Sequence, residues 1–172
     1  MNKMSALVNS NDKIEKLLTL LFNEEPLIYF IVSYIYYFGF SQDEIICYIS
    51  KNSTYPTKNK QGLVLRLMDY PKLYGLCSII NFNLCKVSRA ALYNKVQQYS
   101  SLCSLDNVSA ISLRKTWAYN ELCKGADYST IKHQLSYKGS ISQFFEYLDI
   151  TYEDIATNEN LIKLYNNRGT YN

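Results

Sequence analysis

Between Pro26 and Gly39 the chain is almost continuously apolar and aromatic, with Ser33 as the one clear interruption. Proline suits the first turn of a helix and glycine suits its stop, so the run reads as one helix ending at about Phe38. The wider stretch Leu27–Phe40 is too short for a confident membrane span. At 172 residues and 48% hydrophobic, the chain can bury one sizeable core, and a single domain over 1–172 is expected. Three prolines and six glycines leave little room for a disordered linker. The chain opens without a charged, apolar, small-residue signal, so a cytoplasmic protein with no membrane partner is expected.

The remaining pattern is mostly helical. Asn9, Ser10 and Asn11 offer caps for a helix with Ile14, Leu17, Leu18, Leu21 and Phe22 on one side. Ser41 can cap another, with Glu44 at the capping-box position. Lys58-Asn59-Lys60-Gln61-Gly62 is turn-like and Leu63–Leu67 suits a strand, so a β-hairpin or small sheet is expected over 55–67. Helices follow at Pro71–Ile80, after Ser88, at Ile111–Cys123 before Lys124-Gly125, from Asp127 or Ser129 to about Leu135, and at Ser140–Leu148. A last short helix, Glu159–Asn166, lies in a C-terminal tail over 156–172. The fold class is α+β, mostly α-helical.

Charge is unevenly distributed. Residues 1–50 hold three Lys/Arg against six Asp/Glu, residues 51–140 thirteen against four, and residues 141–172 two against five. A basic middle between acidic ends can build a phosphate-binding face, although a solvated lysine-rich surface gives the same count. The five cysteines are scattered, form no CxxC pair and have only His133 to join them. Neither a zinc site nor a disulfide framework is indicated, and reduced thiols are expected. No cofactor is implied.

The segment Val108–Ile150 carries the chemistry. Its core is Ser112-Leu113-Arg114-Lys115-Thr116-Trp117-Ala118, followed by Lys124-Gly125-Ala126-Asp127, Ser140-Ile141-Ser142 and Phe145-Glu146-Tyr147. This succession resembles the C-terminal half of the tyrosine recombinase (phage integrase) catalytic domain, and the resemblance extends over about 12–155. Gly39-Phe40-Ser41-Gln42-Asp43-Glu44 stands for the family's Gly-Leu-Arg-x-x-Glu, with Ser41 at the first arginine. Lys58, with Lys60 as the second choice, matches the hairpin lysine that protonates the leaving oxygen. Val87-Ser88-Arg89-Ala90-Ala91-Leu92-Tyr93 is similar to the Ser-Arg-x-x-Leu-Tyr helix that lies against DNA. Ile111-Ser112-Leu113-Arg114 stands for His-x-x-Arg, so Arg114 keeps the second arginine and Ile111 replaces the histidine. Lys138 occupies a position usually held by His or Trp, and Tyr147 holds the nucleophile position.

The resemblance therefore implies duplex DNA as partner and Tyr147, Arg114, Lys138 and Lys58 as the catalytic positions. Phosphate or groove contacts fall to Arg114, Lys115, Arg89, Lys95, Lys58, Lys60 and Lys138. In that chemistry a tyrosine oxygen attacks a phosphodiester, and paired arginines stabilise the charge that builds on the phosphoryl oxygens. Losing one preorganised donor costs roughly 10²–10³-fold, and losing a proton-transfer group about 10²–10⁴-fold. Serine supplies neither charge nor a forked donor. The expected protein binds DNA but exchanges strands poorly, in an accessory role on a mobile element or plasmid. The competing readings are a divergent active enzyme using Tyr147 and a helical interaction module without nucleic acid. Tyr147 is one of 17 tyrosines and sits in an aromatic run, so packing competes with nucleophilicity there. By the same resemblance the C-terminal helix, through Leu161, Ile162, Leu164 and Tyr165, is expected to dock on a neighbouring protomer, with docking onto its own domain the equal alternative.

Overall fold

The computed structural model describes residues 11–170 and places the helix expected after Pro26 at the centre of the protein. This helix, α2 (Pro26–Phe38), is buried on nearly every side. Around it lie α1 (Asn11–Glu24), α3 (Gln42–Asn52), α4 (Pro71–Ile79), α5 (Arg89–Leu102) and α6 (Ala110–Cys123). The C-terminal part adds α7 (Tyr128–Leu135), α8 (Ile141–Tyr147), α9 (Tyr152–Thr157) and α10 (Glu159–Asn166). An all-apolar helix has no face it can show to water, so the others arrange themselves to cover it.

Two apolar clusters result. The first is built on α1, α2, α3, α4 and α5 and includes Leu113 of α6. The second joins Ala118 and Leu122 of α6 to Tyr128, Ile131, Ile141, Phe144 and Leu161. Helix α6 thus belongs to both, its N-terminal half serving one cluster and its C-terminal half the other.

Local signals explain most boundaries. Ser41, Ser88, Asp127 and Ser140 cap their helices through side-chain oxygens, as expected from their positions. Asn9 and Ser10 lie outside the described residues. Helix α9 was not expected; Thr151 and Asp154 form a reciprocal capping box there, a signal legible in the sequence.

The chain is mostly helical, and among the described residues no strand forms. In place of the expected sheet over 55–67 stands one antiparallel bridge, Lys58 to Val64. Asn59 explains why a turn wins there: its side chain accepts from the Gln61 and Leu63 amides at 2.9 Å each, and Gly62 takes φ +78°. The Leu65 amide still donates to Thr57 O at 2.9 Å, after which Leu67–Asp69 coils into a 3-10 turn. No helix among the described residues is long and apolar enough to cross a membrane.

At the end of α2, Gly39 adopts φ +70° and donates to Ile35 O while Phe40 donates to Tyr34 O. A Cβ on Gly39 would sit 2.3 Å from the Trp117 ring. Gly39→Ala therefore combines left-handed strain of about 1–2 kcal/mol with overpacking of about 1–3 kcal/mol. Urea denaturation should show a loss of about 2–5 kcal/mol. Gly75→Ala, in α4 with open space at the Cβ, should be neutral or stabilising by up to about 1 kcal/mol.

Candidate functional site

The two apolar clusters meet along a polar seam, and Arg114 lies in it. Helix α6 starts at Ser109, whose hydroxyl and backbone form a capping box with Ser112, so Arg114 falls in the second turn. Its Nε donates to Gly39 O at 2.7 Å and its Nη2 to Gln134 O at 2.8 Å. One guanidinium thereby joins the end of α2 to the end of α7. Gln134 reinforces the joint: its amide donates to Phe38 O at 3.1 Å, and its carbonyl accepts from the Lys60 amide at 3.2 Å.

Glu44 is the anion of this seam. Its carboxylate accepts from the Ser41 amide, pairs with Lys60 Nζ, and lies 3.5 Å from Arg114 Nη2. Burial pushes the Glu44 carboxyl up, but the bonds from Lys60 and Ser41 and the Arg114 charge outweigh it, and the group is held below its ordinary range. Lys60 also donates to Ser136 Oγ at 2.7 Å. Tyr34, deep in α2, donates to Pro56 O at 2.7 Å and so fixes the base of the turn that carries Lys60.

Tyr147 stands beside this group at the end of α8. Its ring faces Lys115 Nζ at 4.3 Å and the Tyr137 ring at 5.2 Å. Burial pushes its hydroxyl up, partly opposed by the Arg114 charge, so the phenol is protonated at neutral pH. Burial also pulls the Arg114 guanidinium down, yet an arginine remains charged. A neutral phenol next to guanidinium and ammonium groups has no base among these neighbours to take its proton.

The structure thus brings Arg114, Lys115, Tyr147 and Lys60 together and separates other expected residues. Lys60, the second choice in sequence, enters the seam; Lys58, the first choice, is exposed in the bridge and forms no ion pair among the described residues. Lys138 is likewise exposed and unpaired, one residue from Tyr137. Arg89 is bound to Asp43 at 2.6 Å, and Lys95 is paired with Glu25. Both cations thus sit in solvent-accessible pairs with carboxylates on the elements that surround α2. Ser41 does lie at the seam, one carboxylate away from Arg114, whereas Ile111 is 65% exposed on the first turn of α6. His133 is exposed and serves through its carbonyl, which accepts from the Ser136 amide at 3.0 Å.

Sequence reasoning missed Gln134 and the seam role of Glu44. A glutamine between Ile131 and Leu135 on one helical stripe was the available signal, since a polar side chain on a core face needs partners. The C-terminal helix, expected to reach a neighbour, is seated on its own chain. Leu161 is fully buried, Tyr165 stacks on Phe145, and Asn158 and Asn160 donate to Cys123 O.

All five cysteines are free thiols, and among the described residues no group of His, Cys, Asp and Glu is placed to hold a metal ion. No protein-family model, curated protein or solved structure matches the chain.

Glu44→Gln leaves Arg114 and Lys60 facing a neutral amide in a half-buried setting, so chemical denaturation at pH 7 should show a loss of about 1–3 kcal/mol. Because the folded carboxyl lies below its ordinary value of 4.5, its contribution is complete above that pH. It disappears as pH falls through the lower folded value. The gap between native and variant stability should narrow as pH falls below 4.5 and close only once pH is below the lowered folded value.

Proposed function

We propose that this protein is a duplex DNA-binding protein of tyrosine recombinase descent that does not carry out ordinary strand exchange, acting in the cytoplasm as an accessory factor of a mobile element or plasmid. The observation that supports the reading is that Arg114 and Lys115 stand at Tyr147 while Lys60 reaches the same seam through Glu44 and Ser136, four residues spread over nearly ninety positions of sequence. Exposed Lys58 and Lys138 on the flanking loops supply cations free to meet phosphates, which need clustering more than number.

Three features support the loss of strand exchange. Ser41 brings no guanidinium to the seam. Arg114 spends Nε and Nη2 on backbone carbonyls. Glu44 already faces the guanidinium where a phosphoryl group would need to sit. A phosphate there must displace a carboxylate from two cations, a competition that binding at Lys58 and Lys138 avoids.

One set of observations favours a second reading, a helical interaction module: Arg89, Lys95 and Lys60 are all paired with carboxylates. Gel shifts on a short duplex across a salt series separate the two. The DNA-binding reading expects affinity that falls with log salt at about 0.9 per phosphate contact, with Lys58→Ala and Lys138→Ala each lowering the slope by about one. No binding at low salt, or binding without a slope, would favour the module. A duplex nicked beside the cleavage position should give no covalent adduct; an adduct lost in Tyr147→Phe would establish an active enzyme instead.

A further inference from the structure

On another part of the surface, the start of α1, the end of α2, the turn at Tyr70 and the C-terminal half of α6 enclose a cleft of about 440 Å³. Four aromatic residues line it, Tyr36, Tyr37, Tyr70 and Trp117, together with Asn11, Asn120 and the cation Lys124. The Tyr37 and Tyr70 rings stack with centroids 3.9 Å apart, and Tyr36 lies 5.2 Å from Tyr37. Two carboxylates border the cleft. Glu121 is matched by Lys124 at 3.0 Å, so those charges offset each other. Glu15 pairs with no cation among the described residues; it accepts from the Tyr37 hydroxyl at 3.3 Å. Burial pushes the Tyr36 hydroxyl up to about 12 and raises that of Tyr37 further, so both phenols stay neutral.

Neutral rings with negative faces beside an unmatched carboxylate make a seat for positive charge. Its size falls within the range of small-molecule sites. An anion would meet Glu15. Among the described residues no group of three or more His, Cys, Asp and Glu is placed to hold a bare metal ion, here or elsewhere. A trimethylammonium group suits the cleft better, because its charge is spread over methyl surface that packs on rings and needs no directed donors.

We propose that the cleft lined by Tyr36, Tyr37, Tyr70 and Trp117 binds a quaternary ammonium group, with Glu15 as counter-charge. The site is independent of the Arg114 seam and of the DNA reading.

Trp117 is the sole tryptophan of the chain and lines the cleft, so its emission reports occupancy. Titration with tetramethylammonium chloride should give a saturable change that sodium chloride at equal ionic strength does not reproduce. Glu15→Gln alters an exposed side chain and should keep the native melting temperature, while raising the apparent Kd at least about fivefold. Tyr70→Leu should do the same to the Kd. Parallel titrations with choline and with an acetylated trimethyl-lysine amide would show, by the tighter binder, whether a small molecule or a peptide carries the group. An identical response to sodium chloride, or an unchanged Kd in folded Glu15→Gln, would overturn the proposal.

Discussion

The guanidinium of Arg114 ties the two halves of this protein together by polar contact at both of its ends. It reaches Gly39 O at the end of α2 and Gln134 O at the end of α7. Both acceptors are carbonyls near helix C-termini, where intrahelical partners run out and the helix dipole is negative. A cation there satisfies orphan acceptors and favourable electrostatics at once. The forked, planar donor set matters, since a lysine could not span two carbonyls in fixed directions. Gln134 and Glu44 then complete the seam, so a charge taken mostly out of water is met on several sides.

That arrangement also decides what the site can do. A cation held by its own backbone is well positioned but largely occupied, and Glu44 is a resident anion beside it. On the proposed reading, a phosphate chain would be met by the exposed cations around this seam rather than within it. Tyr147 fits the same picture. Its phenol is kept protonated by burial and covered by Lys115 and Tyr137.

Much of the helical layout was legible because its signals are local. Ser41 with Glu44, Ser88, Asp127 and Ser140 mark helix starts by chemistry that acts over three residues, and Gly39 marks a stop by its φ. The stretch 63–67 misled because Leu63-Val64-Leu65 has the composition of a strand, while strand formation needs a partner longer than the Asn59 turn allows. The site was half legible. Arg114 and Tyr147 stand out by motif, but Glu44 looked like a cap and Gln134 like an ordinary helix residue, because their roles depend on contacts across 70 or more positions. Arg89 and Lys95 looked free for the same reason: their acidic partners, Asp43 and Glu25, are remote in sequence.

The central claim is that the surface around the Arg114 seam is the part of the protein that meets nucleic acid. Amide hydrogen exchange measured at low salt with and without a short duplex tests it most directly. Slowed exchange should fall on 57–64, on 111–118 and on 134–147, while 14–35 at the core and the α10 tail remain unchanged. Protection confined to faces away from the seam, or no protection at a duplex concentration far above that of the protein, would contradict the account.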